Sequence, residues 1–370
     1  MDICTIVEQK ENQPVTTPKV GKTRVAVAMS GGVDSSTTAL LLQEAGYDVV
    51  GVTGWLIKSG SRCCDTGIID AAKVCEQLEI PHHAVDLREM FKSQIIDQFP
   101  LSYARAQTPL PCSVCNTLVK WGALLNYSQR VLQASYIATG HYARIIRTET
   151  DIQLARAADP TKDQSYVLWG LTREQLKATL LPLGDYRKDE IRTIADKHQL
   201  ASAHRPDSQD LCFIPQGTTT QQYLANFLPE IPGPIIHCIT GQVLGQHKGT
   251  HNFTIGQRKG IGIAYPDPLY VTYIDPEIRT VYVGPNSALL RRDLSAHSAN
   301  WITAQLPTEP FVAKAKVRYN STALPAMVTP LADNRMHVEF EEAQSAITPG
   351  QVLAIYDTSD TLLLGGGWIE

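Results

Sequence analysis

No apolar run of 18 or more residues occurs in this 370-residue chain, which excludes a hydrophobic helix across a membrane. Cysteine is sparse, with eight residues at positions 4, 63, 64, 75, 112, 115, 212 and 238. That is far too few for a disulfide-stapled secreted fold, so catalytic or metal-binding thiols in a cytoplasmic protein are the expectation. Neither sign of charge dominates: 33 Lys and Arg stand against 37 Asp and Glu, a net charge of −4. The molecule as a whole is therefore not drawn to nucleic acid, and any such partner must be held by local basic patches. The first 21 residues, MDICTIVEQKENQPVTTPKVG, lack the apolar core of a secretion signal and the arginine-rich character of a transit peptide. They read as a disordered leader. Internal repeats and low-complexity tracts are absent.

What is present is organised around Ala28-Met-Ser-Gly-Gly-Val-Asp-Ser-Ser36. The run Arg24 to Met29 has the composition of a buried strand, and Thr37 to Leu42 continues as an apolar helical face. The loop thus falls at a strand-to-helix turn. There Gly31 and Gly32 allow close backbone approach, while helix N–H groups and the hydroxyls of Ser30, Ser35 and Ser36 suit an anion such as phosphate. It is not a Walker loop, because GxxxxGK[ST] is missing. It resembles the SGGxDS loop of the PP-loop ATP pyrophosphatases, which release pyrophosphate from ATP and pass AMP to a substrate oxygen.

Strands and helices alternate from Arg24 to about Ser165, as in a parallel sheet covered on both faces. The strands expected are RVAVAM, DVVGVT, HHAVDL and SYIATG, with ligands at their carboxyl ends. LTREQLKATL and YRKDEIRTIADKHQL read as further helices. After Pro215 glycine and proline become frequent, and from about Thr272 the segments YIDPEIRTVYVG, FVAKAKVRY, AMVTPL, MHVEFE and QVLAIYD suggest a small β-barrel. The division expected is a leader at 1–21, an α/β nucleotide-binding domain at 22–212, a small central domain at 213–275 and a C-terminal β-barrel at 276–370.

Three further stretches carry chemistry. Thr108-Pro-Leu-Pro-Cys-Ser-Val-Cys-Asn116 puts a CxxC at a helix start, where the helix dipole would favour a Cys115 thiolate. Asp207-Ser-Gln-Asp-Leu-Cys-Phe213 holds a lone cysteine in a polar turn, and Gly140-His-Tyr142 follows a sheet strand. No second CxxC is present, nor an HxxxH near Cys112 and Cys115, to complete a structural zinc site. Cys75 lies on an apolar helix face and reads as core; Cys63-Cys64 reads as loop. His247, Lys248, His251, Arg258 and Lys259 form a basic patch suited to phosphate, and Lys314, Lys316 and Arg318 alternate along a strand.

Together SGGVDSS, TPxPxxxCN, TGHYAR, KDQSY, SQDxCFI, GQRKGxG, VRY and TPGQ, in this order over about residues 22–370, resemble the tRNA-specific 2-thiouridylase family (MnmA/TrmU). The resemblance implies an adenine-nucleotide alpha-hydrolase-like PP-loop domain, and adenylation of the C2 oxygen of the wobble uridine followed by displacement of AMP by persulfide sulfur. It implies an ATP site at Ala28, Met29, Ser30, Gly31, Gly32, Val33, Asp34 and Ser35, with Gly54 and Gly140. Cys115 falls on the nucleophile and Cys212 on the persulfide carrier, on a loop expected to be mobile and ordered by tRNA. tRNA contacts map to Leu110, Pro111 and Cys112 near the target base, and to His141, Lys162, Asp163, Gln164, Arg318, Tyr319 and Gln351; His141 and Tyr319 could stack on an unpaired base. Mg²⁺ would join ATP through Asp34. The partners implied are tRNA, through its anticodon stem-loop, and a sulfur donor such as a cysteine desulfurase or a sulfur relay carrier. Many members have aspartate at the position of Cys112. With three thiols available, an iron–sulfur cluster on Cys112, Cys115 and Cys212 is an open alternative. Other PP-loop ligases or amidotransferases, and a non-catalytic RNA-binding or sulfur-carrier protein, are the competing functions.

Overall fold

A computed structural model describes residues 16–57, 67–207 and 211–370. Cys4, Cys63 and Cys64 lie outside these residues, as do Ser208, Gln209 and Asp210. The chain divides into two compact units. One takes in the described residues up to Ile95, those of Cys112–Gly217, and Ile302–Ala304; the other holds Ile96–Pro111, Thr218–Trp301 and Gln305–Glu370.

The first unit is an α/β layer structure. Strands β1 (Arg24–Ala28), β2 (Asp48–Trp55), β3 (His82–Asp86) and β4 (Tyr136–Ala138) form a parallel sheet. Next along the chain come the antiparallel hairpin β5 (Ala143–Arg147) and β6 (Ile152–Arg156), then β7 (Thr179–Leu180), a fifth parallel strand beside β4. The sheet order is β3-β2-β1-β4-β7, so the chain leaves β1 on one side and returns on the other. β1 and β4 therefore bracket the switch point where such sheets open a ligand crevice. Val25, Ala26 and Val27 are wholly buried, as a central parallel strand requires.

Two local outcomes differ from the sequence expectation. LTREQLKATL is helical only over Arg173–Lys177, because Thr179–Leu180 is taken as the fifth strand. Thr179 also accepts a hydrogen bond from the Trp121 indole at 2.6 Å, a partner no local pattern reveals. Nor is the leader detached throughout its length. Arg24 is buried in an ion pair with Asp48 at 2.8 Å, and its remaining donors reach the carbonyls of Thr16, Thr17 and Leu132. A buried guanidinium must satisfy all its donors, and it holds residues 16 and 17 against the sheet to do so.

In the second unit, β8 (Gly233–His237), β9 (Val243–His247), β10 (Tyr270–Asp275) and β11 (Thr280–Gly284) form one sheet in the order β10-β11-β8-β9. Its core holds Ile235, Phe253, Ile261, Leu269, Val271, Ile274, Val281 and Val283. The YIDPEIRTVYVG hairpin thus belongs to this sheet and not to the barrel, and a boundary at 275/276 falls inside it.

The barrel is β12 (Leu290–Trp301), β13 (Phe311–Lys316), β14 (Leu324–Leu331), β15 (Arg335–Ser345), β16 (Val352–Tyr356) and β17 (Leu362–Ile369). They run antiparallel in the order β12-β15-β14-β13-β16-β17, and β12–β17 pairing closes the ring. Closure removes exposed strand edges. The first and last strands escaped the sequence pattern, one being highly charged and the other glycine-rich.

Candidate active site

The nucleotide loop leaves β1 at Ala28 and enters the helix Val33–Glu44. Gly31 has φ +72°, and a Cβ there would lie 2.6 Å from the Gly67 carbonyl oxygen and 2.9 Å from Asp70 Cβ. Only glycine fits. The helix N-cap is Gly32, which offers no side chain to the first-turn N–H groups and leaves them to a ligand. Hydroxyls lock the turn: Ser35 Oγ donates to the Gly32 carbonyl at 3.1 Å and accepts from the Ser30 N–H at 3.2 Å. Ser36, Thr37 and Thr38 are buried in the helix, yet each bonds the carbonyl four residues back at 2.8–2.9 Å.

On the far side of the switch point, a Cβ on Gly140 would meet the Asp34 carbonyl carbon at 2.8 Å and the Ser35 nitrogen at 2.9 Å. The loops after β1 and β4 thus touch backbone to backbone. Ala28, Met29, Ser30, Val33 and Asp34 share this neighbourhood by chain continuity. Met29 is tied by its N–H to the Val52 carbonyl at 2.8 Å, and its own carbonyl accepts from Thr53 Oγ1 at 3.0 Å. Gly54 lies at the carboxyl end of β2.

Asp34 stands at the centre of a charge network that the sequence reading did not find. Both its oxygens accept from Lys188 Nζ at 2.7 Å, and the Tyr142 hydroxyl donates to one of them at 2.7 Å. Burial and the Asp34 carboxylate push the Tyr142 phenol far above the ordinary tyrosine range, so it remains a donor. Lys188 also pairs with Asp207 at 3.0 Å, and Asp207 takes Lys162 at 3.0 Å and Arg192 at 2.8 Å. Burial alone would raise the Asp207 pKa; the bonds from Lys188 and Lys162 outweigh it and hold the carboxyl below its usual range. Lys188 is the first residue of the helix Lys188–Lys197 and only 9% exposed. A basic residue at a helix N-terminus opposes the dipole, and that misfit was the available signal.

The two cysteine segments are anchored through their neighbours. The helix carrying the CxxC begins at Pro111 and continues in wider, π-helical turns from Asn116 to Leu124. Cys112, which is exposed, therefore occupies the first turn, and Cys115, half-buried, lies a full turn inside. The dipole argument for Cys115 is corrected accordingly, since that effect fades beyond the first turn. Ser113 is buried and accepts from the Trp169 indole at 2.8 Å, and Asn116 donates to the Val167 carbonyl at 2.9 Å. Cys212 is half-buried on a turn, and the next residue, Phe213, packs edge-on against Phe91 with centroids 6.3 Å apart. Among the described residues no three His, Cys, Asp or Glu side chains are placed to hold one metal ion. Among these residues, Cys112, Cys115 and Cys212 therefore form no ready-made single-ion site. A single carboxylate at Asp34 is compatible with Mg²⁺, which is commonly held by one or two carboxylates and substrate phosphates.

The remaining expected contacts divide sharply. His141 is 8% exposed: Nδ1 lies 2.7 Å from Thr139 Oγ1, Nε2 lies 3.1 Å from Lys120 Nζ, and the ring tilts against Trp121 at 5.5 Å. Burial first and Lys120 second drive its pKa well down, so the imidazole is neutral. It is enclosed and not set out to stack on a base. Asp163 is buried and receives Arg156, Ser165 and the Ala157 N–H, and Gln164 accepts from the Tyr142 N–H at 3.0 Å. In the second unit, Gln351 donates to the Thr108 carbonyl at 2.7 Å, and Thr108 donates its N–H to Pro349. Nη2 of Arg318 donates to the Ile255 carbonyl at 2.9 Å and to Thr348 Oγ1 at 2.6 Å. Tyr319 is 38% exposed, with Lys316 Nζ 5.7 Å from its ring centre. Leu110 is half-buried and Pro111 buried. Of the basic patch, Lys248, Arg258 and Lys259 are exposed, whereas His247 and His251 are buried.

A glycine- and hydroxyl-rich strand-to-helix loop at the switch point of a parallel sheet defines the class: a nucleotide-binding HUP-type α/β protein with appended β domains. Family comparison agrees, matching a tRNA methyl transferase HUP domain over residues 23–216, a tRNA methyl transferase PRC-barrel domain over 221–285 and an aminomethyltransferase beta-barrel domain over 291–369. The chain is 48% identical over 349 residues to the tRNA-specific 2-thiouridylase MnmA of Gloeothece citriformis, covering 94% of this chain and 99% of that one. It is 45% identical to the protein of the same name from Rippkaea orientalis over the same shares. The chain belongs to the tRNA-specific 2-thiouridylase MnmA family. Among solved structures, the U34-tRNA thiolase NcsA from Methanococcus maripaludis with its [4Fe-4S] cluster is 20% identical, with a TM-score of 0.33 over 56% of this chain and 67% of that one. A likeness that slight carries no weight on the cluster.

Proposed function

We propose that this chain is an ATP-dependent tRNA 2-thiouridylase acting on the wobble uridine in the cytoplasm. ATP binds with its phosphates over the Ser30–Ser36 loop, and the uridine C2 oxygen attacks the α-phosphorus, releasing pyrophosphate and leaving the base adenylated. Mg²⁺, held by Asp34 and the phosphates, would neutralise charge on the leaving pyrophosphate. Lys188 and the first-turn N–H groups of the helix Val33–Glu44 orient the phosphates, and Tyr142 holds Asp34. Cys212 carries the sulfur as a persulfide, supplied by a cysteine desulfurase or a sulfur relay carrier. The Cys115 thiolate attacks the Cys212 Sγ, forming a Cys115–Cys212 disulfide and releasing hydrosulfide. Hydrosulfide adds at C2, AMP leaves, and an external dithiol reduces the disulfide for the next turnover.

The observation that carries this reading is near-full-length likeness at up to 48% identity to proteins named 2-thiouridylases, supported by a Gly31–Gly32 loop that leads into a helix with no side-chain cap. The test is thiolation of unmodified tRNA transcript with ATP, Mg²⁺ and a persulfide donor, read as retardation on a mercury-containing gel. The expected result is a retarded band that needs ATP and forms with one AMP per thiolated tRNA. AMP formation without thiolation under any donor would overturn the reading and favour another PP-loop ligase.

A further inference from the structure

Gly31 stands at φ +72° and Gly32 at φ −88°, ψ 163°. The peptide between them can turn over by half a turn in ψ of Gly31 and φ of Gly32, and neither residue has a Cβ to forbid it. The peptides on either side are held. The Ser30 N–H donates to Ser35 Oγ, and the Gly32 carbonyl accepts from Ser35 Oγ, Ser36 Oγ and the Ser36 N–H. For the Gly31 carbonyl, the one hydrogen-bond donor among the described residues is Arg205, 174 positions along the chain, whose Nη1 lies 3.0 Å away. The same nitrogen pairs at 2.5 Å with Asp70, on the first turn of the helix Gly67–Gln77, which is packed against Gly31. Arg192 pins the arginine's own backbone, donating to the carbonyls of Ala203 and Arg205 at 3.3 and 3.4 Å.

We propose that Arg205 is a positioning residue for ATP: by holding the Gly31 carbonyl it aims the Gly32 N–H at the phosphates. In a trans peptide the C=O and N–H point in opposite directions. With the carbonyl turned toward Arg205 and Asp70, the Gly32 N–H is turned away from them, and it joins the first-turn N–H groups of the helix Val33–Glu44 as an anion donor. The flipped peptide would set a carbonyl oxygen against the phosphates, exchanging an attraction for a repulsion. Glycine at both positions lets the backbone approach a ligand closely but leaves its direction undecided. Arg205 decides it, and Asp70 orients the guanidinium that does so.

The role rests on the reading of this loop as an ATP site, and binding alone tests it, without tRNA or sulfur donor. In titration calorimetry with Mg²⁺ and a non-hydrolysable ATP analogue, Arg205→Met should lower affinity by about tenfold, the scale of one lost charge-assisted hydrogen bond. Adenosine, which has no phosphates, should bind both proteins equally. Gly32→Ala supplies the readout that a merely structural arginine would not move. The native φ of −88° accepts a Cβ, with Ser30 Oγ an ordinary 3.5 Å away, whereas the flipped peptide needs a positive φ there. In a chain already carrying Gly32→Ala, Arg205→Met should therefore cost less than about threefold. Asp70→Asn, which leaves the guanidinium without its partner, should weaken binding in the same direction by a smaller factor, and it replaces Arg205→Met where that protein fails to fold. Parental affinity in Arg205→Met, an equal loss for adenosine, or the same loss with and without Gly32→Ala overturns the role. A parent that binds no analogue overturns the ATP reading and this role together, whereas parental affinity in Arg205→Met sinks this role alone and leaves ATP-dependent thiolation standing.

Discussion

Around the nucleotide loop, the hydroxyls of Ser30, Ser35 and Ser36 all have partners, and Gly31 and Gly140 sit where a single added carbon would strike backbone. Around the cysteines, the neighbours are fixed and the thiols are left accessible: Ser113, Asn116 and Phe213 are buried, while Cys112 is exposed and Cys115 and Cys212 are half-buried. The difference follows from what each half must do. Stabilising charge on a phosphate rewards dipoles fixed in advance. On the proposed function, sulfur delivered by another protein would be received at a surface, which fits thiols more exposed than the residues beside them.

Substitutions that separate the halves should rank accordingly. Replacing Cys115 or Cys212 with serine removes an atom that reacts in the proposed mechanism, and thiolation should fall by about a thousandfold or more with ATP affinity unchanged. Lost ATP affinity by titration calorimetry would mean the halves are not separate. Gly140→Ala forces a Cβ against Asp34 and Ser35; ATP affinity should drop by at least about tenfold, or ~1.4 kcal/mol, while Cys115 alkylation keeps its parental rate. Phe213→Ala removes the aromatic anchor of Cys212. Thiolation should fall by about tenfold, within the range expected for an aromatic lost from a partly open site, with nucleotide binding intact.

The smallest effect concerns pH. His141 has a folded pKa depressed by burial and by Lys120, so the unfolded chain binds the proton more tightly. Its contribution to stability is complete above the unfolded value of about 6.5 and is lost as pH falls toward the folded one. His247 and His251 in the second unit, both lowered by burial, act with the same sign. Urea unfolding should show stability declining from pH 7.5 to 5.5, and His141→Gln should flatten only part of that decline. An unchanged slope would mean that His141 titrates normally.

The nucleotide half was legible because its signals are local. A buried strand, two glycines and a run of hydroxyls fix a strand-to-helix turn within a dozen residues. Lys188, Asp207 and Tyr142 were not legible as partners of Asp34, since Lys188 and Asp34 lie 154 positions apart and meet only through the topology. The barrel's middle strands showed in composition, but β12 with its charged face and β17 with three consecutive glycines carry no alternation. Arg318 and His141 were found as family positions, yet their environments could not be foreseen: one guanidinium nitrogen bonds Ile255 and Thr348, and the imidazole is walled in by Thr139, Lys120 and Trp121. Three thiols in a sequence suggest a cluster; among the described residues they are not gathered round one metal ion.

The central proposal is that sulfur passes between Cys212 and Cys115 by a two-thiol route without iron. The most direct measurement is thiolation by anaerobically purified Cys112→Ser, Cys115→Ser and Cys212→Ser proteins beside the parent, with iron quantified in each. The two-thiol route predicts a retarded tRNA band from Cys112→Ser comparable to the parent, none from the other two, and no stoichiometric iron in any. Loss of the band in all three, together with loss of iron bound by the parent, would contradict it.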